Sequence, residues 1–213
     1  MTELQTSYAT VTAATAHEAM GRRGAIDSAI KPIRTGMRAV GRALTCSCHV
    51  GDNLTLHAAL KIARPGDVIV CAAGGYAQQG LFGDVMASCA IGRGVAGLVT
   101  DGGIRDSAEI ARLGFNVFSK GIAVNGTVKE TFGSLNEPIA IGGQTVSPGD
   151  LVIADDDGVV VVPAAEIETV LSASTEREKK EARFREALLK GETTWDLLGL
   201  NALMESKGLP HRF

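Results

Sequence analysis

The chain has 213 residues (22.1 kDa) with 21 basic against 24 acidic side chains and a formal net charge of −3, which suits one main domain and leaves no basic footprint for nucleic acid. Six Phe, two Tyr and one Trp offer few stacking platforms for bases, and no apolar run approaches the roughly 20 residues that span a bilayer. The opening MTELQTSYATVTAATAHEAM lacks the basic and apolar regions of a secretory signal, and the four cysteines follow no disulfide framework, so a soluble cytoplasmic protein with reduced thiols is expected.

In chain order, residues 10–23 predict a first helix, followed by the glycine-broken GRRGAIDSAIKPI. RAVGRALTCSCHV alternates as a strand, and DNLTLHAALKIARPGD reads as a helix capped by Asp52 or Asn53 and stopped at Pro65-Gly66. DVIVC (67–71) is the next strand. A loop rich in Ala, Gly and Gln leads to a helix over 84–93, a short strand over 96–100, the loop DGGIRD, the helix DSAEIARLG and the strand FNVFS. This alternation favours βαβ units. After Lys129 the pattern changes to short strands, PIAI, QTV, DLVIA and GVVVVP, separated by glycine-containing turns. From Ala164 a charged helix follows, and a short helix around Trp195 and a GLPHRF tail close the chain. The expected architecture is α/β: a main domain over 1–163, with a βαβ-type central sheet beside a β-rich layer, and a C-terminal helical extension over 164–213.

GDVMASCAIGRGVAGLVTDGGIRD holds the densest chemistry. A helix of about ten residues advances roughly 15 Å, and a strand of about five, at about 3.3 Å each, returns a similar distance. Asp84, at the helix start, and Arg105-Asp106, after the strand, therefore meet at one sheet edge, where open α/β sheets bind ligands. Gly74, Gly75, Gly80 and Gly83 leave backbone amides accessible near a helix N-terminus, which suits an anion. Two carboxylates suit a hard divalent cation, and an arginine fork suits a carboxylate or enolate oxygen. Singly, Asp84 and Asp106 (with Glu109 as a capping box) also read as helix caps, and Arg105 as a surface ion-pairing residue. Their combination points to a site.

With its flanks GGYAQQGLFGD and GLVTDGGIRD, the spacing of Asp84, twenty residues, then Arg105-Asp106 resembles the class II pyruvate aldolases. These cleave 4-hydroxy-4-methyl-2-oxoglutarate and 4-carboxy-4-hydroxy-2-oxoadipate, and their superfamily includes the ribonuclease E activity regulators. GRALT, DNLTLHAAL, ARPGDVIV, SPGDLVIADDDGVVVVP and KKEARFREALLKGE extend the likeness over most of the chain. The resemblance implies Mg2+ or Mn2+ ligated by Asp106, with Asp84 holding a metal-bound water. It implies that Arg105 holds the keto-acid end and enolate oxygen, and that the amides of Val85 and Met86, beside Gly83, hold the pyruvyl carboxylate. It also implies a homotrimer or dimer of trimers in which a glutamate from a neighbouring subunit's last helix, by spacing Glu181, completes the metal's water shell. The products would include pyruvate, with oxaloacetate decarboxylation as a side activity; the alternative is a regulator that binds a ribonuclease.

On a 3.6-residue helix Glu181 falls in line with Val170, Ser174 and Leu188, inside an apolar stripe with Ile167 and Phe184, while Glu178 lies toward the edge. A carboxylate there is costly without a cation or partner; pairing with Arg177 or Arg185 is the other reading. Lys31, Lys61, Lys120 and Lys129 adjoin turn or polar residues, which disfavours a Schiff-base lysine and favours the metal route. The glycines of GRGVAG precede a strand rather than opening a helix, so they fail the dinucleotide-binding context. Cys46 and Cys48 of CSCH share one strand face with His49 pointing away, a small core pair. His57 and His211 read as structural or surface residues, and DDDG at 155–158 as a hairpin turn.

Overall fold

The computed structural model describes residues 3–210. Helices α1 (Glu3–Ser7) and α2 (Ala13–Ala19) open the chain. α2 is shorter than the expected 10–23: Thr12 accepts from the Thr15 amide to cap it, and positive-φ residues at Gly21 and Arg22 end the region. Strands β1 (Lys31–Pro32), β2 (Ala39–Ser47), β3 (Val68–Ala72), β4 (Gly80–Phe82), β5 (Gly97–Ile104) and β6 (Val117–Ile122) alternate with helices α3 (Leu54–Ile62), α4 (Asp84–Gly92) and α5 (Ser107–Leu113). Then come β7 (Ile139–Ile141), β8 (Gln144–Val146), β9 (Leu151–Asp155) and β10 (Gly158–Val162). The helices α6 (Ile167–Leu189), α7 (Thr194–Leu197) and α8 (Leu200–Ser206) finish the described chain.

The strands form one large, nearly closed mixed sheet in the order β1-β6-β5-β3-β2-β9-β10, with β4 alongside β5, and β7-β8 make a separate hairpin. The β2/β3, β3/β5, β4/β5 and β5/β6 pairs are parallel, whereas β2/β9 and β9/β10 are antiparallel. β9 and β10 thus join the sheet through β2. Near closure comes from Ala25, which bridges Val160, and from Lys31 Nζ, which donates to the Asp157 carbonyl at 2.6 Å.

β3, VIVCA, is buried along its whole length because both faces are covered. Ile69 and Cys71 pack with Leu56, Leu60, Leu98 and Ile110 under α3–α5, while Val68 and Val70 face Val99, Phe118, Ile141 and Val152 inside the sheet. β10 divides likewise: Val159 and Val161 point to the interior, Val160 and Val162 to Tyr8, Ala16, Ile167 and Val170 beneath α2 and α6. Truncating such a side chain, for example Leu98→Ala, is expected to cost about 2–5 kcal/mol.

One strand boundary differs from the sequence expectation in a way that shapes the cleft. The loop expected at DGGIRD is mostly strand: β5 continues to Ile104, with an irregularity between Thr100 and Gly103 where β4 joins its edge. A Cβ on Gly103 would lie 2.5 Å from the Ala77 carbonyl oxygen and 2.7 Å from that of Gln79, so only glycine lets the 73–79 segment cross here. Asp101, buried on β5, ties that segment down by accepting from the amides of Ala73 (2.5 Å) and Gly75 (2.8 Å). Among the described residues no helix is long and apolar enough to cross a membrane.

Candidate active site

At one end of the parallel strands, the N-terminus of α4, the end of β5 and the 126–129 segment enclose a cleft of about 310 Å³. Gly83, Asp84, Val85, Met86 and Arg105 all line it. α4 starts at Gly83 without a side-chain cap. Its first-turn amides at Asp84, Val85 and Met86 therefore lack intrahelical acceptors where the helix dipole is positive. Asp84 is the first helical residue rather than the cap, and its side chain is half-buried at the cleft wall.

Asp106 directly follows the arginine. Its backbone is left-handed (φ 53°, ψ 36°) and its side chain makes no cap hydrogen bond to α5, an uncommon state for a residue other than glycine. Glu109 pairs with Arg112 instead of closing a capping box. The Asp106 carboxylate turns toward Gly83, and its Oδ2 lies 3.3 Å from Arg105 Nε. A Cβ on Gly83 would come within 2.6 Å of that oxygen, and a Cβ on Gly80 within 2.7 Å of Arg105 Cβ. The glycines before α4 therefore make room for the Arg105-Asp106 pair. The backbone holds it there: Arg105 N donates to Phe82 O at 2.9 Å, and Ala123 N to Ile104 O at 2.8 Å. Arg105 is half-exposed, as a residue reaching into a solvent-filled cleft should be.

Of the further residues that line the cleft and that the spacing argument did not assign, four carry polar side chains: Asn53, His57, Thr127 and Lys129. Asn53 is nearly buried; its Nδ2 donates to Leu81 O at 2.8 Å and its Oδ1 accepts nothing among the described residues. His57, expected to be structural or surface, is a cleft residue; partial desolvation first, and the Lys129 ammonium second, hold its pKa below the ordinary histidine value. The sequence carried one signal for this wall, since Asn53 and His57 are four apart and share a face of α3. Lys129 is brought in by buried Asp52, whose Oδ2 accepts from the amides of Glu130 and Thr131 at 2.7 Å and whose Oδ1 accepts from Leu54 N at 2.8 Å. These amides, Leu54's foremost, hold the Asp52 carboxyl below its usual range. Of the two expected caps, Asn53 holds the N-cap position of α3 without a side-chain cap bond, while Asp52, one residue earlier, supplies the acceptor for the first helical amide and anchors the opposite wall as well.

Glu181 lies elsewhere within the single chain. It is half-buried on α6 and pairs with Arg177 (2.9 Å) and Arg185 (3.6 Å), while Glu178 accepts from Thr15 Oγ1 at 2.8 Å. Lys31 and Lys120 sit on strands, rather than beside turns only, and both are exposed. His211 lies outside the described residues. Among the described residues, no group of three or more His, Cys, Asp or Glu converges as a metal cage. Asp84 lines the cleft, and the Asp106 carboxylate, which is not part of that lining, lies against its Gly83 wall; carboxylate oxygens are the donors that a hard divalent cation such as Mg2+ takes, with water filling the rest of its shell.

Residues 10–161 match a family model described as RraA-like, Aldolase/RraA. A Halalkalibacterium halodurans protein provisionally named 4-hydroxy-4-methyl-2-oxoglutarate aldolase is 36% identical over 181 residues, covering 84% of this chain and 86% of its own. Among solved structures, an uncharacterized Pseudomonas syringae protein superposes with TM-score 0.82 at 28% identity, over 89% of this chain and 90% of that one. Streptomyces coelicolor RraAS2, described as an unusual member of the RNase ES inhibitor RraA family, does so with TM-score 0.78 at 32% identity, over 88% and 98%.

Proposed function

The chain belongs to the RraA-like aldolase/RraA family, and we propose that it is a divalent-metal-dependent lyase that cleaves a 4-hydroxy-2-oxo di- or tricarboxylate and releases pyruvate. The observation that carries this reading is the Arg105-Asp106 pair packed on Gly83 at the uncapped start of α4, with Asp84 beside it.

Retro-aldol cleavage breaks the C3–C4 bond, sends its electron pair toward the C2 keto oxygen and frees the 4-hydroxyl proton. Arg105 receives the keto oxygen as its negative charge develops, and the Val85 and Met86 amides hold the C1 carboxylate at the helix N-terminus. Asp84 holds the water that takes up the 4-hydroxyl proton and returns a proton to C3, giving the pyruvate methyl group. Asp106 and, through water, Asp84 would hold Mg2+ or Mn2+, with Glu181 of a neighbouring subunit completing the water shell. When bound, that cation supplies Lewis-acid stabilisation of the developing oxyanion. Loss of CO2 from oxaloacetate leaves the same enolate, so decarboxylation accompanies the main activity. The proposed assembly is a trimer or dimer of trimers; Ile122, Val124, Val128 and Phe132, exposed apolar side chains along one segment, suit a contact between subunits.

The test couples pyruvate release to a dehydrogenase, using 4-hydroxy-4-methyl-2-oxoglutarate, 4-carboxy-4-hydroxy-2-oxoadipate and oxaloacetate. Chelator should abolish the signal and Mg2+ or Mn2+ should restore it. Full activity in chelator, or inactivation by borohydride with pyruvate, would show a Schiff-base enzyme and overturn the metal assignment. A second reading, a ribonuclease regulator acting by protein binding, is favoured by the description of the Streptomyces neighbour. It gains the ground if no candidate yields pyruvate and the protein inhibits a purified ribonuclease.

A further inference from the structure

Away from the carboxylates, the sheet gathers three of the four cysteines. Cys46 on β2 is the register partner of Cys71 on β3, and Cys48 extends β2 by one more step, its amide donating to Ala72 O at 2.8 Å. All three side chains face α3, on the side of the sheet packed with Leu56, Leu60 and Ile69. Cys46 and Cys71 are fully buried, whereas Cys48 is part-exposed. The Cys71 and Cys48 sulfurs lie 3.7 Å apart, in van der Waals contact and about 1.7 Å beyond a disulfide bond. The sequence motif CSCH showed two of these thiols; the third is brought in by strand pairing.

We propose that Cys48 and Cys71 form an oxidation site for hydroperoxides, with Cys48 as the attacking thiol and Cys71 as the resolving thiol of a reversible disulfide. The Cys48 sulfur attacks one peroxide oxygen: an S–O bond forms, the O–O bond breaks, and the alcohol (water, from hydrogen peroxide) leaves with the thiol proton. Cys48 is then a sulfenic acid. The Cys71 sulfur attacks Cys48, forming the S–S bond as the S–O bond breaks, and its proton leaves with the hydroxide as water. Two thiols are oxidised by two electrons and one peroxide is reduced.

The roles follow from access and electrostatics. Oxidant reaches Cys48 first because it alone of the three has solvent exposure. Hydrogen bonding from the Cys46 and Cys71 thiols, with help from the Leu56 amide in the first turn of α3, holds Cys48 well below the usual thiol range. Cys71 is pushed upward, first by its thiol neighbours and then by burial. One thiol is thus primed for attack and the other kept protonated beside it. Beyond Cys48 the chain enters α3, which carries Asn53 and His57 into the cleft; beyond Cys71 it enters the segment leading to Gly80 and Gly83. A bond here links the starts of two cleft walls.

The experiment treats the full chain with a small excess of hydrogen peroxide and maps its cysteines by mass spectrometry without reduction. Expected is the loss of two thiol hydrogens in one Cys48–Cys71 cross-linked peptide, reversed by dithiothreitol, before the exposed Cys89 is modified. Cys71→Ala should leave Cys48 as a sulfenic acid captured by dimedone, and Cys48→Ala should leave Cys71 unreacted. A Cys48 that stays free while Cys89 oxidises overturns the proposal, as does a bond that joins Cys46 instead or links two chains. The wild-type map decides the matter without relying on either variant to fold.

Discussion

Gly83→Ala isolates the contact on which the proposed site depends. Gly83 has φ −135° and ψ −175°, extended backbone that alanine adopts freely, so within the folded state the added methyl group is the perturbation. It would lie 2.6 Å from Asp106 Oδ2 and 3.3 Å from Arg105 Nε, where ordinary contact begins near 3.4 Å, so the carboxylate must retreat by about 0.8 Å. Misplacing a catalytic group by about 1 Å costs on the order of 10²-fold in rate. The fold has little at stake, because the Asp106 side chain is 38% exposed and can swing toward solvent. Gly→Ala also lowers the entropy of the unfolded chain, worth about 0.4–1 kcal/mol in favour of the native state. The expected result is a kcat/KM for pyruvate release lowered by about 10- to 100-fold, with Tm nearly unchanged. Gly80→Ala is the contrast: its methyl group would meet Arg105 Cβ at 2.7 Å and the Ala123 carbonyl oxygen at 2.9 Å, so Tm itself should fall. An unchanged kcat/KM in a normally stable Gly83→Ala protein would remove the Asp106 position from the mechanism.

Two other outcomes follow from different parts of the molecule. If Glu181 serves a neighbouring subunit, Asp106→Ala and Glu181→Ala proteins, each nearly inactive, should regain activity when co-assembled; demonstrated subunit exchange with no recovery would confine Glu181 to its Arg177 and Arg185 pairs. Tyr8 is fully buried, donates to the Ile167 carbonyl at 2.5 Å, and has its pKa raised by burial from 10.0 to about 12. The raised value favours the neutral phenol in the folded state, so its contribution, of order 2–3 kcal/mol, is complete below pH 10.0 and lost toward about 12. Denaturant titrations across that window should show the loss in wild type and a weaker pH dependence in Tyr8→Phe; equal slopes would refute the assignment.

Local patterns in the sequence were enough to read the alternation of strands and helices, the turn-rich β segments after Lys129 and the long last helix, because periodicity and turn chemistry act within a few residues. The same local reading singled out Asp84, Arg105 and Asp106 and took the glycines before α4 as leaving backbone amides accessible to an anion. The structure adds that Gly80 and Gly83 first make room for Arg105 and Asp106 themselves. What spacing could not supply depends on which strands are neighbours. With β3 between β2 and β5, Cys71 meets Cys46 and Cys48, and Asp101 reaches back to hold residues 73–75. β5 runs on through a stretch that reads as a loop because β4 adds to its edge, satisfying backbone groups that local sequence would leave to water. Asn53, His57 and Lys129 join the cleft because one buried carboxylate, Asp52, binds amides 78 and 79 residues away. Such long-range hydrogen bonds leave no periodic trace, since the sequence separation they close is set by the order of the sheet and not by the geometry of any one element.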